Sequence, residues 1–167
     1  IDTLLRNKQI PVALMSGMAG TEESFKQLSG QSITLLHVAT HGFYSPLTGH
    51  YTAQRSFEEQ ALSRSGLFLS GAAASLNMKK IPEDIEDGIL TAKELSKLDL
   101  SNLNLAILSA CQTGLGEIVG DGVFGLQRGF KKAGAQTLLM SLWKVDDTAT
   151  QLLMAEFLSL IHISEPT

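Results

Sequence analysis

Two short apolar stretches set the pattern of the chain. Leu105 to Leu108 is an unbroken apolar run, and Ile33 to Ala39 reads Ile-Thr-Leu-Leu-His-Val-Ala. Short runs of this kind, closed by turn residues, predict strands buried on both faces. Thr137 to Trp143 repeats the form, and Ile10 to Met15 and Leu67 to Leu69 suggest two further strands. Helical signals lie between them. Thr21 with Glu22 and Glu23 behind it predicts a helix from Glu22 to Leu28, because acids in the first turn suit the helix dipole. Thr91-Ala-Lys-Glu94 has capping-box spacing and opens a helix to about Leu98. Val123, Leu126, Phe130 and Ala133 share a face at helical spacing, which predicts a helix from Asp121 to Ala133 stopped by Gly134. Asp146 or Asp147 caps a last helix reaching Leu160. The polar stretches from Tyr44 to Ser65 and from Gly71 to Glu86 read as long surface loops. Strand alternating with helix is the signature of a parallel sheet with right-handed crossovers.

Composition narrows the class. The chain has 167 residues, 44% hydrophobic and 18% charged, enough for one domain with a core of its own. A net charge of -4 offers no footprint for nucleic acid. No apolar run approaches the ~20 residues of a membrane helix. The single cysteine excludes an internal disulfide and suits a reducing, cytoplasmic setting.

That cysteine, Cys111, stands just past the Leu105–Ala110 strand, and a glycine-rich segment follows it. His41 stands just past the Ile33–Ala39 strand. In open α/β sheets ligands bind at the carboxyl ends of the strands, so the two could face each other there. A histidine can deprotonate a thiol or stabilise its thiolate, and backbone N–H groups of a glycine turn can hold an oxyanion. A lone cysteine beside a strand is nevertheless more often packing. His37 reads as a core or supporting residue, because it lies in a strand and no cluster completes a metal set. Gly114, Gly116 and Gly120, with Asp146 after the next strand, form a near miss of the dinucleotide fingerprint.

Several separate motifs then agree in order. His-Val-Ala-Thr-His41-Gly-Phe-Tyr, Asp87-Gly-Ile-Leu-Thr, Leu-Ser-Ala-Cys111-Gln-Thr-Gly, Gly120-Asp-Gly-Val-Phe-Gly-Leu-Gln-Arg, Ala133-Gly-Ala and Ser141-Leu-Trp-Lys-Val-Asp-Asp resemble the CHAT domain. This is a caspase-like cysteine peptidase module often joined to tetratricopeptide repeats. The resemblance covers about Gly20 to Phe157. It implies a mostly parallel α/β sheet flanked by helices over residues 1–160, with residues 161–167 as an off-pattern tail. It implies His41 as acid/base, Cys111 as nucleophile, and the Gly42 and Cys111 N–H groups as oxyanion hole. Ser141, Leu142 and Trp143 would border the substrate pocket. The expected activity is cleavage of protein or peptide substrates, in bacterial signalling or regulated proteolysis, with no metal, cofactor, nucleic acid or membrane involved. The alternatives are a non-catalytic interaction module of the same fold and a dinucleotide-binding domain. The His41–Cys111 separation of 70 positions exceeds the roughly 50 of the caspase pattern, and the Tyr44–Ser65 segment could supply the excess. The family sheet runs 2-1-3-4-5-6. Ile33–Ala39 would be its third strand and Ile10–Met15 its second, with the first upstream of Ile1, so that residues 1–167 alone would have weak or no activity.

Overall fold

A computed structural model of the chain describes residues 2–45, 57–77, 86–109, 117–119, 122–140 and 147–160. They fall into two compact units, residues 17–144 and residues 1–16 with 145–167.

The larger unit is built on a parallel sheet of β1 (Leu35–Ala39), β5 (Leu105–Ser109) and β8 (Thr137–Met140), in the order β1-β5-β8. The central strand is the most apolar one. Ala106, Ile107 and Leu108 of β5 are all buried, so both of its faces are covered, as its unbroken apolar run requires. Leu36 and Val38 of β1, Ala106 and Leu108 of β5, and Leu138 and Met140 of β8 join the main core. Leu95 of helix α5 (Ala92–Leu95) and Leu126, Phe130 and Ala133 of helix α6 (Leu126–Ala133) complete it. Thr91 and Glu94 form the capping box that the sequence predicts, and Gly134 ends α6 in the left-handed conformation at φ 99°.

A second, antiparallel sheet stands beside the first in sequence. It contains β2 (His41–Tyr44), β3 (Ser65–Phe68) and β4 (Ile89–Thr91), in the order β2-β3-β4. This sheet changes the reading of the region after His41. The Tyr44–Ser65 stretch is not all loop: its first residue ends β2, and Phe57–Leu62 forms helix α3, with Ala61 and Leu62 buried. The Gly71–Glu86 stretch likewise holds helix α4 (Ala72–Asn77). The helix predicted from Asp121 starts only at Leu126. Gly122–Phe124 is strand β7, paired antiparallel with β6 (Glu117–Val119), so Val123 belongs to a hairpin and not to the helix face. Helix α2 covers Glu22–Lys26 and is capped by the Thr21 side chain, which accepts a hydrogen bond from the Ser24 N–H.

In the smaller unit, helix α1 (Asp2–Asn7) buries Leu5 and helix α7 (Asp147–Leu160) buries Met154 and Leu158. The Lys8 ammonium donates to the Ser159 carbonyl. The Ile10–Met15 strand does not form. Pro11 has no N–H for a ladder, the Val12 carbonyl accepts from Arg6, and Leu14 and Met15 are exposed. Among the described strands β1 therefore pairs only with β5. No described helix is long and apolar enough to cross a membrane.

Gly66 tests how tightly the antiparallel sheet is packed. A Cβ there would lie 2.5 Å from the Leu90 carbonyl oxygen and 2.7 Å from the Phe43 ring. One of these neighbours is backbone and cannot yield cheaply. Gly66→Ala is expected to lower stability by about 2 kcal/mol, the usual scale for overpacking. Urea unfolding measures it, and an unchanged midpoint would contradict the packing described.

Candidate active site

The site begins with a register. β1 and β5 are parallel neighbours, and their last residues, Ala39 and Ser109, are partners across the ladder. His41 lies two residues past Ala39, and Cys111 lies two residues past Ser109 in the sequence. Cys111 itself lies outside the described residues, as do Ser141, Leu142, Trp143, Gly114, Gly116, Gly120 and Asp146.

The backbone between the two sheets turns at Thr40. Its hydroxyl donates to the Phe68 carbonyl, which anchors the end of β1 to β3. His41 then opens β2 opposite Phe68 and is exposed. Phe43 follows two residues later, and its ring centroid lies 4.9 Å from that of Phe68 in a tilted pair. In antiparallel strands alternate residues share a face, so His41, Phe43 and Phe68 stand on one side of this sheet. The two aromatic rings, given room by Gly66, form a firm surface beside the His41 position.

The same ladder settles where Gly42 directs its N–H. The Ser45 N–H donates to the Arg64 carbonyl at 2.8 Å, and the Leu69 N–H to the Gly88 carbonyl at 2.7 Å. Hydrogen-bonded and non-hydrogen-bonded pairs alternate along an antiparallel ladder. With Ser45–Arg64 bonded, Phe43–Gly66 and His41–Phe68 are bonded pairs, and Gly42–Leu67 is not. The Gly42 N–H therefore points away from β3, toward the outer edge of β2. The sequence places His41 just past a strand and gives no sign that it opens another.

His37 is not idle. Its Nε2 lies 2.8 Å from the Ser109 Oγ, a hydrogen bond running diagonally from the middle of β1 to the last residue of β5. Burial pushes the His37 imidazole below its ordinary pKa, so the ring is neutral at pH 7. His37 thus bridges β1 and β5 through a serine partner that the sequence does not reveal; a core or supporting residue was expected there.

A separate charge cluster lies on α2. Glu22, Glu86 and Glu94 bring carboxylate oxygens within 4.8 Å of one another. Lys26 sits among them, with its Nζ 2.7, 2.8 and 3.5 Å from Glu22, Glu86 and Glu94. Burial pushes the Glu22 carboxyl above its ordinary range despite the lysine, and the carboxylates push Lys26 upward. Glu22 also accepts from the Gly88 N–H at 3.0 Å, which ties α2 to the start of β4. The ammonium already fills the centre, so the cluster is an internal ion-pair network.

Known proteins give the setting. The family model described as the CHAT domain matches residues 1–162. Tetratricopeptide repeat protein 28 of Mus musculus is 39% identical over 71 residues, 42% of this chain and 3% of that protein. Tetratricopeptide repeat protein 28 of Homo sapiens is 35% identical over 75 residues, 45% of this chain and 3% of that protein. The chain thus spans a small fraction of the curated relatives it matches.

His37 gives the fold a pH dependence of definite sign. Its folded pKa is below 6.5, so the unfolded chain binds the proton first as pH falls. The stability it contributes is complete above the unfolded value and is lost as pH falls from about 6.5 through the folded pKa. Urea midpoints of wild type and His37→Gln, measured at pH 7 and pH 5.5, should fall further in the wild type. Equal losses would show that His37 is not held neutral.

Proposed function

The chain belongs to the CHAT domain family, a caspase-like, peptidase-related module, and on that premise we propose that it is a cysteine endopeptidase using a His41–Cys111 dyad. The observation that carries this reading is the Ala39–Ser109 pairing. It supports the placement of His41 and Cys111 at equal distances, counted in residues, beyond the carboxyl ends of adjacent parallel strands. The outward direction of the Gly42 N–H supports its part in an oxyanion hole.

In this mechanism His41 accepts the proton of the Cys111 thiol. The thiolate attacks the scissile carbonyl carbon, and the carbonyl π electrons move to oxygen. The Gly42 and Cys111 N–H groups hold that oxyanion. Collapse of the tetrahedral intermediate breaks the C–N bond, and His41 gives its proton to the leaving amine. Water, deprotonated by His41, then hydrolyses the thioester and regenerates the thiol. Ser141, Leu142 and Trp143 border the pocket for the residue before the scissile bond. The parent chain joins this domain to tetratricopeptide repeats, which deliver the protein substrate in regulated proteolysis.

A second reading is a non-catalytic interaction module. What favours it is that both curated relatives are named for tetratricopeptide repeats.

The test uses the sole cysteine. Alkylation of Cys111 by iodoacetamide, followed against pH, should show a midpoint below the ~8.5 of an ordinary thiol. His41→Ala should return it to that value. In a peptide-library digest by the full-length parent chain, Cys111→Ala and His41→Ala should abolish cleavage, and Cys111→Ser should be nearly as inactive because a hydroxyl is a far weaker nucleophile. An ordinary alkylation midpoint in folded wild type, with no cleavage, would favour the interaction module.

A further inference from the structure

The hydrogen bond between His37 and Ser109 sits where alignment of the two strand ends matters most. Its partners lie four residues before His41 and two residues before Cys111. They belong to different strands, on the face that also carries the Ala39–Ser109 partners. The backbone ladder fixes the spacing of β1 and β5 along their length, but it ends at this pair. The His37 ring is half-buried and held neutral by burial, so it needs a polar partner, and the Ser109 hydroxyl lies 2.8 Å from its Nε2. A neutral imidazole has one donor and one acceptor nitrogen, and a hydroxyl both donates and accepts. The pair is therefore satisfied with either tautomer. Nothing in the packing asks for polar groups here: the residue across the ladder from His37 is buried Ile107. A bond of this kind is directional, which an apolar contact in its place would not be.

We infer that the His37–Ser109 hydrogen bond is a positioning contact that locks the carboxyl ends of β1 and β5 together and so sets the alignment of His41 with Cys111. The inference rests on the dyad reading. His37 and Ser109 are positioning residues, and neither takes part in proton transfer to substrate. Misplacements near 1 Å can cost about a hundredfold in rate, so a slackened strand end is enough to matter.

The experiment compares the 167-residue wild type with Ser109→Ala, Ser109→Thr, His37→Phe and His41→Ala. Ser109→Thr keeps the hydroxyl on a residue suited to strands, and His37→Phe keeps a ring without the bond. Each chain is first shown to be folded by its urea transition. The pH profile and the rate of Cys111 alkylation by iodoacetamide are then measured. Ser109→Ala and His37→Phe should slow alkylation at pH 7 by about tenfold and move its midpoint toward an ordinary thiol. Ser109→Thr should behave as wild type. If Ser109→Ala is folded and keeps the wild-type profile, the positioning role is wrong. If Ser109→Thr fails as Ser109→Ala does, the hydroxyl is not the operative group and the inference falls. If His41→Ala leaves the profile unchanged, the dyad itself is absent, a separate failure that removes the proposal's premise.

Discussion

The parallel pairing of β1 with β5 is the constraint on which the rest of the structure depends. Five consecutive residue pairs, Leu35–Leu105 to Ala39–Ser109, hold it in one register. A slip of one residue would turn Val38 and Leu36 out of the core and bring His37 into it. Burial of apolar surface opposes such a slip strongly, because Val38, Ala106 and Leu108 all pack into the same core. The register of the two strands is thus held by apolar side chains.

The second sheet contributes direction where the first contributes alignment. It receives the chain at Thr40, pairs β2 antiparallel with β3 and fixes which peptide groups face β3. The α2 network secures the far side of this sheet. Glu22 accepts from the Gly88 N–H just before β4, and Lys26 neutralises the carboxylates that gather there. Lys93 adds an ion pair to Glu59 at 2.6 Å, joining α5 to α3. The groups of that second pair are partly exposed, so it contributes little by itself. The buried Glu22 is the costlier one to disturb, because loss of its lysine would leave a carboxylate without a counter-charge in a dry setting.

Much of this was legible in the sequence, and the physical reason differs by element. β1, β5 and β8 could be read because strands buried on both faces are nearly continuous apolar runs. The ends of α2, α5 and α6 could be read because Thr21, Thr91 and Gly134 act through local bonds or local backbone conformation. The antiparallel sheet could not. Its strands are three or four residues long, and their pairing joins positions far apart in sequence. Val123 was misassigned because a residue at the right spacing can serve a hairpin as well as a helix. Ile10–Met15 was misassigned because apolar content outweighed the missing N–H of Pro11. The bonding parity that aims the Gly42 peptide is a property of the β2–β3 ladder alone and has no local signal in the sequence. The Ser109 partner of His37 was hidden for the same reason.

The bond from the Ser45 N–H to the Arg64 carbonyl has a consequence for how such a domain can change. It clasps the chain on either side of residues 46–63 before β2 and β3 begin their pairing. Insertion ahead of α3, whose Ala61 and Leu62 are held in the core, alters mainly the entropy of closing a loop. That entropy grows only logarithmically, about 0.6 kcal/mol for each doubling of length. The spacing between histidine and cysteine along the chain is therefore nearly free to drift, while their supports in space are not. A lineage could lengthen this insert, or an engineer could splice a foreign segment into it, and leave the strand that carries His41 where it stands.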